Sequence, residues 1–255
     1  NQGISVVLNL FYGTIVNSAY GIAMQVSGAV QFVSTSIVNA MNPQIMKAEG
    51  AGERQKMIRL CAYESKYAFL LLAMVVIPLI AEMETILHVW LGEVPVHAVM
   101  FCRFILIAAL CDQISIGWTS ANQAIGKIRT YSIIFYTLKL FVILIAWWCL
   151  QEGLPIISVM WGYVAIEFIG SFVRLPLMKH IANIPIIPFF KNVFLRIIGP
   201  LATMVVVCYS SAILIDIPYR LIITFSCSLV VGVLSIWGFA LNIEEKHKKT
   251  YFLLL

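Results

Sequence analysis

Five ionisable side chains lie inside long apolar segments of this sequence: Arg103, Asp112, Lys139, Glu167 and Arg174. A charge at the depth of a lipid bilayer costs about 2.5 to 3.5 kcal/mol on insertion scales, so such groups normally face protein or a water-filled cavity. The three cations suit an anionic substrate group, and the two carboxylates suit a coupling ion. These five residues are therefore the first functional candidates.

Helical periodicity groups one of these charges with other polar residues. At about 100° per residue, one face of the fourth apolar segment carries Asp112, Ser115, Thr119 and Gln123. This stripe predicts a cavity lining that reaches the cytoplasmic end. Arg103 lies about 180° from Asp112 on the same predicted helix, so it needs another partner or extends towards the interface.

The sixth apolar segment presents a second polar face, formed by Tyr163, Glu167, Ser171 and Arg174. About two helical turns separate Glu167 from Arg174, which is too far for a direct ion pair, although both could meet one ligand. Arg174 also lies close enough to the cytoplasmic interface to extend into it. The alternative for all these charges is a buried hydrogen bond between helices, which contributes about 0.6 kcal/mol on average in membranes.

The composition shows which elements must position these charges. Hydrophobic residues make up 61% of the chain and charged residues 11%, against about 25% charged in soluble domains. A hydrocarbon core about 30 Å thick needs about 20 apolar helical residues to cross it. The sequence predicts an all-α integral membrane protein with about eight transmembrane helices, at 3–17, 20–45, 67–90, 96–121, 131–150, 156–178, 194–215 and 218–241.

Basic residues alternate between the connections of these segments. They follow the second, fourth and sixth segments and the last one, where the tail carries Lys246, Lys248 and Lys249, whereas the intervening connections are acidic apart from Arg220. The positive-inside rule then predicts that both ends of the chain are cytoplasmic. Glu64 and Lys66, just before the third segment, are interpreted as solvated interface residues.

Several chemistries are not expected. The six cysteines form no C-x-x-C pair and the four histidines have no ligand spacing, so neither a metal site nor a disulfide framework is predicted. The net charge of +5 comes from basic residues in short loops beside the segments, where they determine topology, so no nucleic-acid partner is expected.

Short motifs occur in order over the first 130 residues: NQG at 1–3, VLNLFYG at 7–13, VNSAYGIA at 16–23, QV at 25–26, GAV at 28–30, NAMNPQI at 39–45, AEGAG at 48–52, LHVWLG at 87–92 and QAIGK at 123–127. In this order and spacing they resemble the polysaccharide flippase branch of the multidrug, oligosaccharidyl-lipid and polysaccharide exporter superfamily.

The resemblance implies two six-helix lobes facing each other across a central cavity, often followed by two extra helices. Residues 1–180 would form the C-terminal lobe and residues 181–255 the extra helices and a short tail. The N-terminal lobe, a partner, would lie outside this sequence, which fits a first residue other than Met.

The implied function is translocation of a polyprenyl-diphosphate-linked oligosaccharide across the bacterial cytoplasmic (inner) membrane by alternating access, for export of cell-surface polysaccharide such as lipopolysaccharide. Its partners are this cargo and the membrane lipids. The sequence contains no Walker A loop for ATP. No catalytic residue and no cofactor are expected, apart from coupling to a proton or sodium gradient.

The candidate roles follow from this cargo. Lys139, Arg174 and Arg103 are the candidates to attract the diphosphate. Asp112 or Glu167 is the candidate to bind the coupling ion. The candidates to exchange hydrogen bonds with sugar hydroxyls are amide side chains that occur in the motifs above: Asn9, Asn17, Gln25, Asn42 and Gln123.

Three other functions remain open. A cation-coupled multidrug exporter of the same superfamily would favour an acidic, aromatic cavity over one with buried lysine and arginine. A membrane-embedded glycan polymerase or ligase would need a large external loop with catalytic arginine or histidine, whereas the external connections here are short. A helper subunit without transport activity would also fit half of a transporter.

Overall fold

The computed structural model describes residues 2–182, 184, 186–214 and 220–240. Within these ranges the chain is helical and contains no β-strand, which confirms the all-α prediction. The helices are α1 (Gln2–Gly50), α2 (Arg54–Ala81), α3 (Met83–Leu91), α4 (Ala98–Gln113), α5 (Gly117–Ile125), α6 (Ile128–Gln151), α7 (Ile156–Ala182), α8 (Ile186–Phe189), α9 (Leu195–Leu214) and α10 (Arg220–Ser235), with π-helical turns at Phe190–Phe194 and Ile236–Ala240.

Six helices of the described chain are long and apolar enough to cross a membrane, or seven when the bent pair α4 and α5 is taken as one span. This number indicates a multi-pass membrane protein, but it does not establish the predicted eight. Helices α6 and α7 match their predicted segments within a few residues. The predicted ends at 215, 218 and 241 and the tail lysines lie outside the described residues.

Helix α1 is sharply bent at Gly13, where φ is 75° and ψ is −170°. The Ser5 hydroxyl donates to the Asn17 side-chain oxygen at 2.6 Å, although twelve residues of straight helix would separate these positions by about 18 Å. The chain therefore folds back at Gly13, and the predicted reversal between 17 and 20 is wrong in position. Only glycine adopts this backbone conformation readily.

Two predicted spans are interrupted. The segment 67–90 is divided at Glu82, between α2 and α3. The segment 96–121 is divided between α4 and α5, whose axes differ by 47°. At this second break the Gly117 backbone N–H donates to the Ser65 hydroxyl at 2.9 Å, so a side chain of α2 replaces a helical acceptor.

Helix α2 is the central helix of the bundle, because it packs against α1, α4, α5, α9 and α10. It begins at Arg54, well before the predicted start at 67. Glu64 and Lys66 consequently lie about three turns inside a packed helix and are 0% and 1% exposed. The interpretation of these two residues as solvated interface residues is wrong.

Helices α9 and α10 pack against each other and against α2. The guanidinium of Arg220, on α10, pairs with the fully buried Glu82 carboxylate at 2.9 Å, and the Thr224 hydroxyl donates to the same carboxylate at 3.2 Å. This contact ties the C-terminal helix pair to the break between α2 and α3. The division of the chain near residue 180 stays a prediction.

Candidate functional site

Three helices each bring one charged side chain to a common point. Asp112 lies near the end of α4, which is the middle of the bent pair α4 and α5. Lys139 is the twelfth of 24 residues in α6, and Glu167 is the twelfth of 27 residues in α7. All three side chains are therefore close to the middle of helices that are long enough to span a hydrocarbon core of about 30 Å.

Arg174, two turns beyond Glu167 on α7, completes the charge cluster of Asp112, Lys139, Glu167 and Arg174. Its Nη2 lies 2.6 Å from Asp112 Oδ1, and its Nη1 donates to the Asp112 carbonyl oxygen at 2.8 Å. Lys139 Nζ lies 3.1 Å from Glu167 Oε2 and 3.8 Å from Asp112 Oδ1. Two cations thus balance two carboxylates, and the formal charge of the cluster is zero.

Aromatic and hydroxyl groups surround the charge cluster. The Phe135 ring centroid lies 4.8 Å from Lys139 Nζ and 4.4 Å from the Arg174 guanidinium carbon, so its π face stabilises both cations. The Ser115 hydroxyl accepts from Arg174 Nη1 at 3.2 Å. The Thr119 hydroxyl lies 2.9 Å from the Tyr131 hydroxyl. Two hydroxyls of the predicted polar stripe therefore support the site.

A cavity of about 420 Å³ opens beside the charge cluster, within the size range of small-molecule sites. Lys139 is its cation, and its side chain retains 35% exposure. The remaining walls are mostly apolar, with polar groups from α1, α4, α6 and α7. The lining residues that carry polar or charged groups are Ser27, Gln31, Asp112, Tyr136, Lys139, Tyr163 and Glu167.

Two arginine predictions have definite outcomes. Arg174 is 2% exposed and paired, so the expectation that it extends to the interface is wrong. The two-turn spacing already excluded a pair with Glu167, and the partner is supplied by another helix. Arg103 does not join the cluster, because its Nε donates to the Ile80 carbonyl oxygen at 3.1 Å. A backbone carbonyl is the other partner that Arg103 needs.

The five amide candidates lie away from the cavity lining. Asn9, Gln25 and Gln123 are exposed. Asn17 accepts the hydrogen bond from Ser5, and Asn42 Nδ2 donates to Gln123 Oε1 at 3.4 Å. Contact of these side chains with cargo stays a prediction.

Sequence reasoning missed four of the residues described here. Ser27 and Gln31 line the cavity from α1, where their spacing of four residues places them on one helical face. Glu82 and Arg220 form an ion pair in which the Glu82 side chain is fully buried and the Arg220 side chain is partly exposed. The available signal was that Arg220 is the lone basic residue among acidic external connections.

Within the described ranges, no group of three or more histidine, cysteine, aspartate or glutamate side chains could hold a metal ion. All six cysteines are free thiols. No protein-family model, no curated protein and no solved structure matches this chain. Function is therefore inferred from the geometry of the charge cluster, from its cavity and from the motifs of the first 130 residues.

Proposed function

We propose that this chain forms part of a transporter that moves a polyprenyl-diphosphate-linked oligosaccharide across the bacterial cytoplasmic membrane by alternating access. The observation that carries the proposal is the charge cluster beside a cavity in the middle of apolar helices. A sugar-phosphate head group cannot cross hydrocarbon unaided, so it needs a polar path. The motifs of residues 1–130 support this choice of cargo.

Lys139 is the residue that would bind the diphosphate. It is the cation that lines the cavity, and its ammonium group is shared between two carboxylates, at 3.1 Å from Glu167 Oε2 and 3.8 Å from Asp112 Oδ1. Phosphate oxygens form charge-assisted hydrogen bonds with an ammonium group. Arg174 is a positioning residue, because it fixes Asp112 beside Lys139 without lining the cavity.

The ion pairs of Lys139 also connect cargo binding to the contacts between helices. They bridge α4, α6 and α7, so movement of the Lys139 ammonium from a carboxylate to a phosphate changes which helices are tied together. Binding shifts a conformational equilibrium only through such a difference in contacts. The lipid tail of the cargo remains in the bilayer during this step.

Export of a cationic drug is a second candidate, favoured by the two carboxylates in the cavity wall, Asp112 and Glu167. The two functions make opposite demands on Lys139. A phosphate cargo needs its ammonium group, whereas a cationic cargo is repelled by it. One substitution therefore separates them.

The test is Lys139→Gln in the complete transporter, with export of surface polysaccharide and efflux of a cationic dye measured in the same cells. Loss of a charge-assisted hydrogen bond worth about 1.5 to 3 kcal/mol should reduce export about 10- to 150-fold. Lys47→Gln, at an exposed position in the last turn of α1, is the matched control. Unchanged export in the Lys139 variant would reject the proposal, and increased dye efflux would favour the second candidate.

A further inference from the structure

Glu64 differs from the other buried carboxylates of the described chain because no cation accompanies it. Asp112, Glu167 and Glu82 each contact an arginine or a lysine. Glu64 is 0% exposed, and its Oε1 accepts a hydrogen bond from the Ser120 hydroxyl at 2.8 Å. Its Oε2 has no hydrogen-bond partner among the described residues.

Among the described residues, no neighbouring element places a cation in contact with Glu64. Helix α5, which carries Ser120, has no ionisable side chain. The Lys66 ammonium donates to the Ala240 carbonyl oxygen at 3.1 Å, between the rings of Tyr63 and Tyr67. The Cys61 thiol lies about one turn before Glu64 on α2, with the Glu49 carboxyl of α1 near that thiol, and neither group is a cation.

Charged groups on the other helices packed against α2 are held elsewhere. Arg103 donates to a backbone carbonyl, Arg220 pairs with Glu82, and Lys47 of α1 is exposed. Within the described chain, Lys191 and Arg196, on the π-helical turn and on α9, form no ion pair with Glu64. An ionised carboxylate without a cation in this interior would cost several kcal/mol, so the neutral acid is the form that this site accommodates.

The site suits a proton rather than a metal cation. Sodium, like other hard cations, needs several oxygen ligands at once. Glu64 accepts from one hydroxyl, that of Ser120, and its other carboxylate oxygen has no hydrogen-bond partner among the described residues. A proton needs only the carboxyl group itself.

Glu64 also lies where α2 holds the bent span closed. The next residue, Ser65, accepts from the Gly117 backbone N–H at 2.9 Å. Gly117 approaches α2 so closely that a Cβ atom there would lie 2.0 Å from the Cys61 carbonyl oxygen. If α5 moved away from α2, water would reach the Glu64 carboxyl and would stabilise its charged form by solvation.

We propose that Glu64 is a proton-binding site, protonated while α5 packs on α2 and deprotonated when α5 moves away. The sequence predicts Asp112 or Glu167 as the binding site for the coupling ion. Arg174 and Lys139, however, already neutralise these two carboxylates. We therefore assign the proton to the Glu64 carboxyl. Release of this proton is linked to the movement of α5 away from α2. This inference goes beyond the proposed function and does not depend on the cargo.

Infrared spectroscopy of the chain reconstituted in lipid vesicles tests the protonation state. At neutral pH we expect a carbonyl band of a protonated carboxylic acid, which Glu64→Gln removes and Glu167→Gln retains. The matched control is Glu53→Gln, an exposed carboxylate just before α2, which should leave the band unchanged. Absence of the band in the wild type, or its persistence in Glu64→Gln, overturns the proposal. Loss of the band on addition of sodium at constant pH also overturns it, in favour of a metal cation.

The linkage to opening is tested with Cys61, which is fully buried and whose backbone carbonyl faces Gly117. The other five cysteines are replaced by alanine, and the maleimide labelling rate of Cys61 is measured against pH in this background and in the same background carrying Glu64→Gln. If opening releases one proton, the ratio of the first rate to the second rises about tenfold per pH unit. A ratio independent of pH overturns the linkage, whatever the outcome of the export assay.

Discussion

Replacing Arg174 by methionine tests whether this side chain supports the charge cluster from the protein interior. The guanidinium donates to the Asp112 carboxylate, the Asp112 carbonyl oxygen and the Ser115 hydroxyl. Methionine retains an unbranched apolar chain but removes every one of these donors. Among the described residues, Lys139 at 3.8 Å is then the one cation left beside Asp112.

The expected cost follows from these contacts. Removing one partner of a buried ion pair typically destabilises a protein by about 3 to 5 kcal/mol. The lower end applies here, because the Asp112 side chain retains 25% exposure and a second cation. We therefore expect the free energy of unfolding to fall by about 3 kcal/mol, or about 150-fold in the equilibrium constant.

Arg103→Met is the matched control. Arg103 is partly buried and donates to a single carbonyl oxygen, so its loss should cost about 1 kcal/mol. The double variant Asp112→Leu/Arg174→Met removes both charges together. It should be more stable than the sum of the two single effects predicts, because no uncompensated charge remains in the interior.

The assay is equilibrium unfolding in mixed micelles of a mild detergent and dodecyl sulfate, followed by tryptophan fluorescence and helical circular dichroism. The usual additivity error of such free energies is about 0.5 kcal/mol. If Arg174→Met lowers the free energy of unfolding by the same amount as Arg103→Met within this error, the assignment of a buried ion pair is refuted. Strict additivity in the double variant would refute the coupling between Arg174 and Asp112.

Two further predictions use the same unfolding assay. Gly117→Ala should destabilise the protein by about 1 to 3 kcal/mol, since its Cβ atom would lie 2.0 Å from a backbone oxygen. The control is Gly28→Ala, which should be neutral or stabilising because a Cβ atom there would have no neighbour within 4 Å. Equal effects of the two substitutions would contradict the close approach of Gly117 to α2. Glu82→Gln should lower the free energy of unfolding by about 3 kcal/mol, because Arg220 loses its carboxylate partner. The control Glu84→Gln, at an exposed position, should change this free energy little. If the two variants are equally stable, the ion pair between Glu82 and Arg220 does not anchor α10.

The course of the helices was predictable from the sequence only where each segment is continuous. Helices α6 and α7 match the predicted segments because an uninterrupted apolar run of about 20 residues satisfies its own backbone and spans hydrocarbon without help from neighbours. The bend at Gly13 and the break before Gly117 were not predicted. Hydropathy measures the polarity of a segment and contains no information about the direction of its axis.

For the site, too, the sequence predicted one part and not the other. Asp112, Lys139 and Glu167 were identifiable from the sequence, because a charge within an apolar run is conspicuous wherever its partner lies. Their partners were not identifiable: Asp112 and Arg174 are 62 residues apart and meet only because α4 packs against α7.

The environment of Glu64 depends on the tertiary structure. Its sequence surroundings are polar, and from these alone it was assigned to a solvated interface. Five helices packed around α2 exclude water from it, and none of the described residues brings a cation to it. Amino-acid type establishes that a carboxyl group is present, but the packing around that group decides whether it carries a charge, because solvation and counter-ions are properties of the folded surroundings.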